Sequence, residues 1–575
     1  MTIGNCRRIL FWGFFILICG MAYLQLYRGD LLEQRADENY IRLVPQPAPR
    51  GIIFDHKGRP LVRNKLEFQI ALFLKKYSDK DELLKQISKV GGIDIQQLNK
   101  SFEKNYLAPF IPTVVYKTDD RMFALRLEEK RIDGCIILYQ ARRELIHPEA
   151  FSHVIGYVNK LSQKNVYLRK YGYGLEEEIG YTGVEQKYND YLRGIPGGRQ
   201  IEVNSRGKEI NVVAEEMAKK GRDISLTLDY DLQTIAYEHL KGRRASFVLM
   251  NVKTGALLSL VSTPSFDVNK LRSVQGYAAE VFNDKNKPML NRPVQASYPL
   301  GSVFKPVLAL AALETGSINE NTEYNCTGVY KLGRATFKCN AKYGHGSENV
   351  RDAITHSCNV FFYNVGMRLG VDVMSDYGHM VGFGRLTNID IPGEKSGILP
   401  GKYWKKHNLK TGWYGGDTVN MSIGQGYIEV TPIQVARMMS FFAGSGIMPD
   451  PYIVNDIGGL KINEYTPQKD IIDKPSLYIV RDGMRRVVAD PRGTARELET
   501  LGMQIAGKTG TAQVAGKASH GWFAGFFPYR DPQYAFAIMI ENAGSSHVAV
   551  DVLKTIFEDA LGKKVFSEFS DEAVG

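Results

Sequence analysis

Residues 9–26 form one almost uninterrupted apolar run, and this run divides the chain before any folded domain is considered. Its eighteen residues, at 1.5 Å of rise per helical residue, just reach across the hydrocarbon core of a bilayer. Arg7 and Arg8 precede the run, and basic residues favour the cytoplasmic side of a membrane. The sequence therefore predicts a cytoplasmic tail over 1–8, a single transmembrane anchor over 9–26, and an extracytoplasmic chain from residue 27 onward.

A cleaved signal peptide is the alternative to an anchor. Its small-x-small cleavage pattern, Gly20-Met21-Ala22, lies inside the apolar run rather than after it. We therefore expect the segment to stay attached to the mature protein.

The length of 575 residues exceeds one ordinary domain, so two or three folded units are expected. The 73 lysine and arginine residues outnumber the 62 acidic residues and give a formal net charge of +11. These basic residues are scattered along the chain, and we find no nucleic-acid-binding motif among them. The composition indicates a globular protein that works beside an anionic surface and does not bind nucleic acid.

The extracytoplasmic sequence changes character near Arg222. Between 27 and 220, short apolar strands alternate with charged helices and no catalytic pattern is evident, which predicts an elongated α+β pedestal domain. From 221 to 575, strands come first, apolar helices follow, and strand pairs and an amphipathic helix come last. This order predicts a second α+β domain, in which both ends of the segment build one central sheet around a helical insert.

The strongest chemical pattern is Ser302 followed three residues later by Lys305, directly before the apolar run from Pro306 to Gly316. The run predicts a buried helix that begins near Pro306, because proline is tolerated only in the first turn. Ser302 would lie at the mouth of this helix, where unpaired N–H groups stabilise a developing negative charge. Lys305 would lose its proton readily in an apolar pocket and act as a base for the serine. A capping serine beside a solvated lysine would give the same pattern without any chemistry.

A second pattern, Ser357-Cys358-Asn359, begins 55 residues after Ser302. The Ser357 hydroxyl can relay a proton between Lys305 and a leaving amine, and the Asn359 side chain can hold the amide of a peptide substrate. Together these residues supply what a serine nucleophile needs for acyl transfer.

The third pattern is Lys508-Thr509-Gly510-Thr511, which follows a strand-like segment. Lys508 offers a cation for a substrate carboxylate, and the hydroxyls of Thr509 and Thr511 can hydrogen-bond the substrate from an edge strand. Gly510 has no side chain to obstruct that approach. The backbone N–H groups of Ser302 and Thr511 would then form an oxyanion hole.

S-x-x-K, S-x-N and K-T-G occur here in the order typical of serine β-lactamases and penicillin-binding proteins, with Cys358 where an aspartate often stands. With its further segments, the chain resembles the class B penicillin-binding proteins, and within them the elongation-type penicillin-binding protein 2 family. The segments that carry this resemblance are RGIIFDHKGRPL from 50, YTGVEQKYNDYLRG from 181, YPLGSVFKP from 298, WYGGDTVNMSIGQGYIEVTPIQ from 413 and AGKTGTAQ from 506.

This resemblance covers nearly the whole chain after the anchor. It implies a penicillin-binding transpeptidase domain with a serine β-lactamase-like α+β fold, preceded by a non-catalytic, dimerisation-type pedestal. It also implies a peptidoglycan D,D-transpeptidase of cell-wall elongation that acts on D-alanyl-D-alanine stem peptides, is acylated by β-lactams and needs no cofactor for catalysis. The implied location is the inner membrane, with the catalytic domain in the periplasm and a RodA-like, SEDS-type glycan polymerase as membrane partner.

Two alternative functions use the same residues. A D,D-carboxypeptidase or β-lactamase would pass the acyl group to water, but no deacylating base is evident, and the anchor and long pedestal favour a wall-building enzyme. A β-lactam sensor would use acylation as a signal, but such sensors need further membrane spans or an intracellular effector domain, which a tail over 1–8 does not provide.

Four potential metal ligands, Cys326, Cys339, His345 and Cys358, follow one another at intervals of 13, 6 and 13 residues. Three thiolates and an imidazole are a ligand set of closed tetrahedral zinc sites. Because Cys358 lies inside the S-x-N pattern, a metal there would pin this loop to the helical insert, in a structural rather than a Lewis-acid role. A disulfide between Cys326 and Cys339, or three unconnected cysteines, are the alternative interpretations.

Overall fold

The computed structural model describes residues 3–30, 41–72, 74, 79–106, 112–160, 178–203, 209–444, 446–463 and 474–566. The chain divides by its contacts into two compact units. The first comprises Met1–Gly51, Asn64–Arg142 and Arg193–Gly221, and the second comprises Ile52–Arg63, Arg143–Leu192 and Arg222–Gly575. Two stretches from the N-terminal half of the sequence therefore fold with the C-terminal part.

The N-terminal apolar run forms the helix Ile3–Ala22, which continues as a π-helical turn over Tyr23–Tyr27. The stretch Leu10–Tyr27 is long and apolar enough to cross a membrane, and none of it is buried within the described structure. Large apolar side chains such as Phe14 and Leu17 are exposed along it, which suits a helix surrounded by lipid.

The first unit contains a small core, in which residues 68–72 pair antiparallel with Thr113–Thr118. Asp94 and Asp120 begin two of its helices, because each carboxylate accepts hydrogen bonds from N–H groups of the first turn. Besides the N-terminal helix, this unit contains the helices Lys80–Gly91, Ile95–Asn105 and Arg121–Glu129. A separate antiparallel sheet joins Ile41–Gln46, Gly197–Val203 and Glu209–Glu216. Two further strands, Pro60–Leu72 and Cys135–Leu145, have residues in both units.

Five antiparallel strands form the central sheet of the second unit, and they come from both ends of its sequence. Their order is Leu257–Thr263, Ala245–Asn251, Tyr534–Ile540, Lys517–Phe527 and Ala506–Val514. The middle strands are buried at nearly every position, because the helices Tyr230–Leu240, Pro432–Ala443 and His547–Gly562 pack against the sheet. The predicted α+β class, with a central antiparallel sheet and a helical insert, is confirmed.

The helix Lys305–Glu314 lies at the centre of the insert, with its first eight residues buried, and it packs against the helix Asn359–Met380. The remaining helices of the unit are Ser152–Ile155, Gly183–Lys187, Asn189–Leu192, Lys270–Ser273, Tyr277–Asn283, Arg292–Gln295, Val350–Thr355, Lys402–Asn408, Gly415–Met421 and Lys474–Ala489.

Short strands complete the second unit. Ile53–Phe54, Ile224–Leu226, Val454–Ile457 and Leu460–Lys461 pair in that order. Three further strand pairs are Val158–Lys160 with Glu178–Gly180, Tyr324–Cys326 with Gly346–Glu348, and Val329–Leu332 with Ala335–Lys338.

Candidate active site

Ser302 lies in a short 3₁₀ turn, Gly301–Phe304, that leads directly into the core helix Lys305–Glu314. Gly301 has a φ of +60°, and a Cβ there would lie 2.9 Å from the Thr511 carbonyl oxygen, so glycine is required at this position. Val303 and Lys305 are fully buried, whereas Ser302 is only partly buried. The turn therefore fixes its backbone in the core and leaves the Ser302 side chain partly open to solvent.

Lys305, from the first sequence pattern, forms buried hydrogen bonds with Ser357 and Asn359 of the second pattern. Its Nζ donates to the Ser357 carbonyl oxygen at 2.7 Å, to Ser357 Oγ at 3.1 Å and to Asn359 Oδ1 at 2.7 Å. Burial lowers the pKa of the Lys305 amine to about 8, while the nearby Cys358, the largest of three cysteine contributions, acts in the opposite direction. The amine thus loses its proton far more readily than an exposed lysine does.

The loop that carries Ser357 and Asn359 is a tight turn between two helices. Val350–Thr355 ends just before it, Ser357 takes a left-handed φ of 58°, and Cys358 caps the helix that begins at Asn359. Non-glycine residues rarely adopt such a φ, and they do so chiefly where surrounding contacts hold them. Here both the carbonyl and the hydroxyl of Ser357 accept hydrogen bonds from Lys305, which explains how the conformation is held.

Lys508, Thr509, Gly510 and Thr511 lie on the strand Ala506–Val514, at one edge of the central sheet. A Cβ at Gly510 would lie 2.7 Å from Val303 Cγ2, so this strand runs directly against the turn that carries Ser302. The structure therefore brings the third pattern to the first one. Gly510 permits that close approach to the protein's own turn, whereas the sequence suggested that it makes room for a substrate.

The side chains of this strand differ in accessibility. Lys508 is fully buried, and burial lowers its pKa well below the ordinary value, with the charge of Lys305 acting in the same direction. Thr509 is also buried, and its hydroxyl lies 2.7 Å from the Thr494 hydroxyl. Thr511 is exposed, and its hydroxyl accepts a hydrogen bond from the Ser546 N–H at 3.3 Å. Thr511 is thus the side chain of this strand segment that is open to a ligand.

Two residues that the sequence patterns did not single out border the same site. The Gly424 carbonyl accepts a hydrogen bond from the Gly301 N–H at 2.8 Å, and Gln425 Nε2 donates to the Thr511 carbonyl at 3.4 Å. Both residues belong to the G-Q-G sequence at 424–426. The two glycines on either side of Gln425 could have indicated a close approach of backbone to backbone.

The four predicted metal ligands meet beside the catalytic loop. The ligand atoms of Cys326, Cys339, His345 and Cys358 all lie within 4.8 Å of one another. His345 Nδ1 is 3.6 Å from the sulfur of Cys326 and 3.6 Å from that of Cys339, and all the described cysteines are free thiols. A hydrogen bond from Cys358 holds the pKa of Cys339 well below its usual range.

Two family models match the chain. The penicillin binding protein transpeptidase domain matches residues 245–560, and the penicillin-binding protein dimerisation domain matches residues 45–226. The chain belongs to the penicillin-binding proteins.

The relatives of this penicillin-binding protein are similar to it along nearly their whole length. Peptidoglycan D,D-transpeptidase MrdA of Escherichia coli (strain K12) is 33% identical over 580 residues, which cover 95% of this chain and 92% of that protein. Penicillin-binding protein 2 from Helicobacter pylori, in its complex with MreC, is 29% identical with a TM-score of 0.80, over 91% of this chain and 99% of that one.

A chain from a structure on the coordination of polymerization and crosslinking by a peptidoglycan synthase complex is also similar. It is 30% identical with a TM-score of 0.74, over 96% of this chain and 97% of that one. These likenesses confirm the predicted family, the class B penicillin-binding proteins of the penicillin-binding protein 2 type.

Gly424→Ala tests how strictly the turn around Ser302 is held by backbone contact. Gly424 has a φ of +69°, and an added Cβ would lie 2.1 Å from the Gly301 carbonyl oxygen, so this turn must move. We expect the rate of acylation by fluorescent penicillin to fall at least about tenfold and the melting temperature to drop.

Gly426→Ala is the matched control, because Gly426 has a φ of +84° but its added Cβ would approach nothing closer than 3.5 Å. This change carries only the cost of the left-handed conformation, on the order of 1 kcal/mol. Equal acylation rates in the two variants would show that the Gly301–Gly424 contact does not position the turn.

Proposed function

We propose that this penicillin-binding protein is a peptidoglycan D,D-transpeptidase, which cross-links stem peptides through an acyl-enzyme on Ser302. The observation that carries the proposal is the buried Lys305 amine, hydrogen-bonded to Ser357 and Asn359 three residues after a partly exposed serine. The name of the E. coli relative, peptidoglycan D,D-transpeptidase MrdA, supports the same reaction.

In the acylation step, the neutral Lys305 amine removes the proton from the Ser302 hydroxyl. The resulting alkoxide attacks the carbonyl carbon of the penultimate D-alanine and forms a tetrahedral intermediate. The bond to the terminal D-alanine nitrogen then breaks, and the proton passes from Lys305 through the Ser357 hydroxyl to that leaving amine. The 3.1 Å hydrogen bond between Lys305 Nζ and Ser357 Oγ is the path for this transfer.

The backbone N–H groups of Ser302 and Thr511 stabilise the negative oxygen of the tetrahedral intermediate in this mechanism. Their proximity is supported by Gly301, whose added Cβ would lie 2.9 Å from the Thr511 carbonyl oxygen. The exposed Thr511 hydroxyl binds the substrate carboxylate, and the buried Thr509 supports it from within the strand. Lys508 is fully buried and has a lowered pKa, so it supports this strand from within and is a weaker cation for the carboxylate than the sequence pattern predicted.

In the second step, an amine of a neighbouring stem peptide attacks the ester carbonyl. Ser302 leaves and regains its proton, and a new amide bond joins the two peptides. Asn359 holds the peptide amide of the acyl donor. β-Lactams acylate the same serine, because their strained amide presents an equivalent carbonyl.

For the location and partners, we propose a cytoplasmic N-terminus, one membrane-spanning helix and a periplasmic catalytic domain. The apolar stretch Leu10–Tyr27 and the arginines before it support this orientation. The similar chain in a peptidoglycan synthase complex that coordinates polymerization and crosslinking supports a glycan polymerase as membrane partner, and we propose that this polymerase is RodA-like. The H. pylori complex supports an MreC-like protein as a further partner.

We also propose that Cys326, Cys339, His345 and Cys358 hold a structural zinc ion. A tetrahedral zinc with a bond of about 2.3 Å to sulfur and about 2.0 Å to nitrogen separates the two ligand atoms by roughly 3.6 Å. The nitrogen–sulfur distances of 3.6 Å from His345 Nδ1 fit that spacing. The hydrogen bond between Cys339 and Cys358 lowers the pKa of Cys339 and raises that of Cys358, so Cys339 is the thiol of this pair that favours the metal-binding thiolate form. Bound zinc would cross-link the loop that carries Ser357 and Asn359 to the helical insert, and it would take no part in the reaction.

Ser302→Ala tests the proposed nucleophile. We expect the variant to lose covalent labelling by fluorescent penicillin completely, because the ester forms on the Ser302 hydroxyl in the proposed mechanism, and to keep the melting temperature of the parent. Ser317→Ala, a serine after the end of the same helix, serves as control and should label normally. Intact-protein mass spectrometry that still finds a penicillin adduct on Ser302→Ala would exclude the assignment.

The pH dependence of acylation tests the role of Lys305. Only the neutral amine can accept the Ser302 proton, and its pKa is lowered to about 8. We therefore expect the acylation rate to rise roughly fiftyfold from pH 6 to pH 8 and to level off above pH 9. A rate that stays constant across this range, with the protein still folded, would contradict a titrating lysine base.

Zinc content tests the metal site. We expect about one zinc per chain in protein purified without chelator, and about none in Cys326→Ser, whose melting temperature should fall by about 5 °C or more. Cys135→Ser is the control, since Cys135 lies outside the cluster. Absence of zinc from the parent protein, or a disulfide between Cys326 and Cys339 in peptide mapping, would refute the site.

A further inference from the structure

The segment from 401 to 414 concentrates positive charge and aromatic rings on the surface of the second unit. It contains four lysines, one histidine and four aromatic residues, and no acidic residue. Tyr403 is 75% exposed and Tyr414 is 65% exposed, and Lys406 and Lys410 are exposed as well. Exposed aromatic rings grouped with cations mark interaction sites on protein surfaces. We call residues 401–414 the basic aromatic surface.

This surface is held in place by one buried cation. The Lys405 side chain is 5% exposed, and its Nζ lies 2.5 Å from Asp417 Oδ2 and 4.9 Å from the ring centre of Tyr414. The rings of Trp413 and Tyr427 lie 6.0 and 5.4 Å from the same ammonium. Asp417 also accepts a hydrogen bond from the Tyr414 N–H at 2.8 Å. The exposed ring is therefore ordered before any ligand arrives, which lowers the entropic cost of binding.

The basic aromatic surface continues into the active site through the backbone. Tyr427, part of the Lys405 cage, is three residues from Gly424, whose carbonyl accepts the hydrogen bond from Gly301. Three residues span at most about 11 Å. At its other end, an added Cβ at Gly415 would lie 3.1 Å from Leu332, in the hairpin that contributes the Lys338 carbonyl bonded to Asn359. The surface is therefore connected on both sides, through short backbone segments, to residues that contact the Ser302 turn and the Asn359 loop.

We infer that the basic aromatic surface binds the glycan strand of the substrate and the free carboxylates of its peptide stems. This inference rests on the proposed transpeptidase function, since the substrate is then a polymer that extends beyond the scissile peptide bond. Lys402 pairs with Asp372 and Lys405 pairs with Asp417 within the protein, so the exposed Lys406 and Lys410 are the cations that complement the stem carboxylates. Aromatic rings complement the C–H faces of sugar rings. Anionic lipid would satisfy the same charges, but the continuity with the catalytic cleft favours the substrate strand.

Co-sedimentation with purified peptidoglycan sacculi tests this binding, with the full chain in phosphatidylcholine nanodiscs. We expect Lys406→Gln/Lys410→Gln to bind sacculi about tenfold more weakly at low salt, and the difference to vanish at high salt. Tyr403→Ala/Tyr414→Ala should bind about fivefold more weakly at both salt concentrations. Sacculi with amidated carboxylates should remove the effect of the lysine variant and keep that of the tyrosine variant.

The matched control is Lys285→Gln/Lys563→Gln, which removes two exposed lysines elsewhere in the same unit and should bind as the parent does. Sacculus binding by the lysine and tyrosine variants equal to that of the parent would overturn the inference. It would also be overturned if the variants lost binding to phosphatidylglycerol vesicles alone.

Acylation of the parent by labelled penicillin distinguishes failure of the proposed function from failure of the proposed binding surface. A parent that is not acylated refutes the proposed function, whereas an acylated parent with unaffected variants refutes only the surface.

Discussion

The site depends on one buried amine. Lys305 is fully removed from solvent, and its hydrogen bonds to Ser357 and Asn359 compensate for the loss of hydration. An unpaired charged amine at this depth would cost several kcal/mol, so the loop has to meet the helix Lys305–Glu314 for the domain to fold. Burial also lowers the pKa of the amine, so the packing of this core supplies both stability and chemistry.

The cysteine cluster makes further contacts with the loop that carries Ser357 and Asn359. The Asn359 N–H lies 3.3 Å from the Cys339 sulfur, and Cys358 caps the helix Asn359–Met380. The loop is thus held both by its hydrogen bonds to Lys305 and by its contacts with the sulfur atoms of Cys339 and Cys358. These restraints help to hold the left-handed conformation of Ser357.

The local parts of this arrangement could be predicted from the sequence, and the long-range parts could not. The spacing of Ser302 and Lys305 within one turn, the apolar core helix and the anchor follow from helical periodicity and proline placement. The contact of Gly301 with Gly424 joins positions far apart in the chain, and no local pattern encodes it. The burial of Lys508 was likewise invisible, because lysine is usually exposed and only the packed sheet determines otherwise. A linear division near residue 220 also could not reveal that 52–63 and 143–192 fold with the C-terminal part.

The contacts of Gly301 and Gly424 have an evolutionary consequence. Because main chain meets main chain there, side chains elsewhere around the cleft can be exchanged without displacing Ser302. Under antibiotic selection, substitutions that hinder drug entry while preserving wall synthesis have room at half-buried neighbours such as Gln425, whereas an added Cβ at Gly301 or Gly424 would collide with backbone atoms. Resistance in such an enzyme is therefore expected to evolve through side chains that line the cleft and not through the glycines that hold the Ser302 turn.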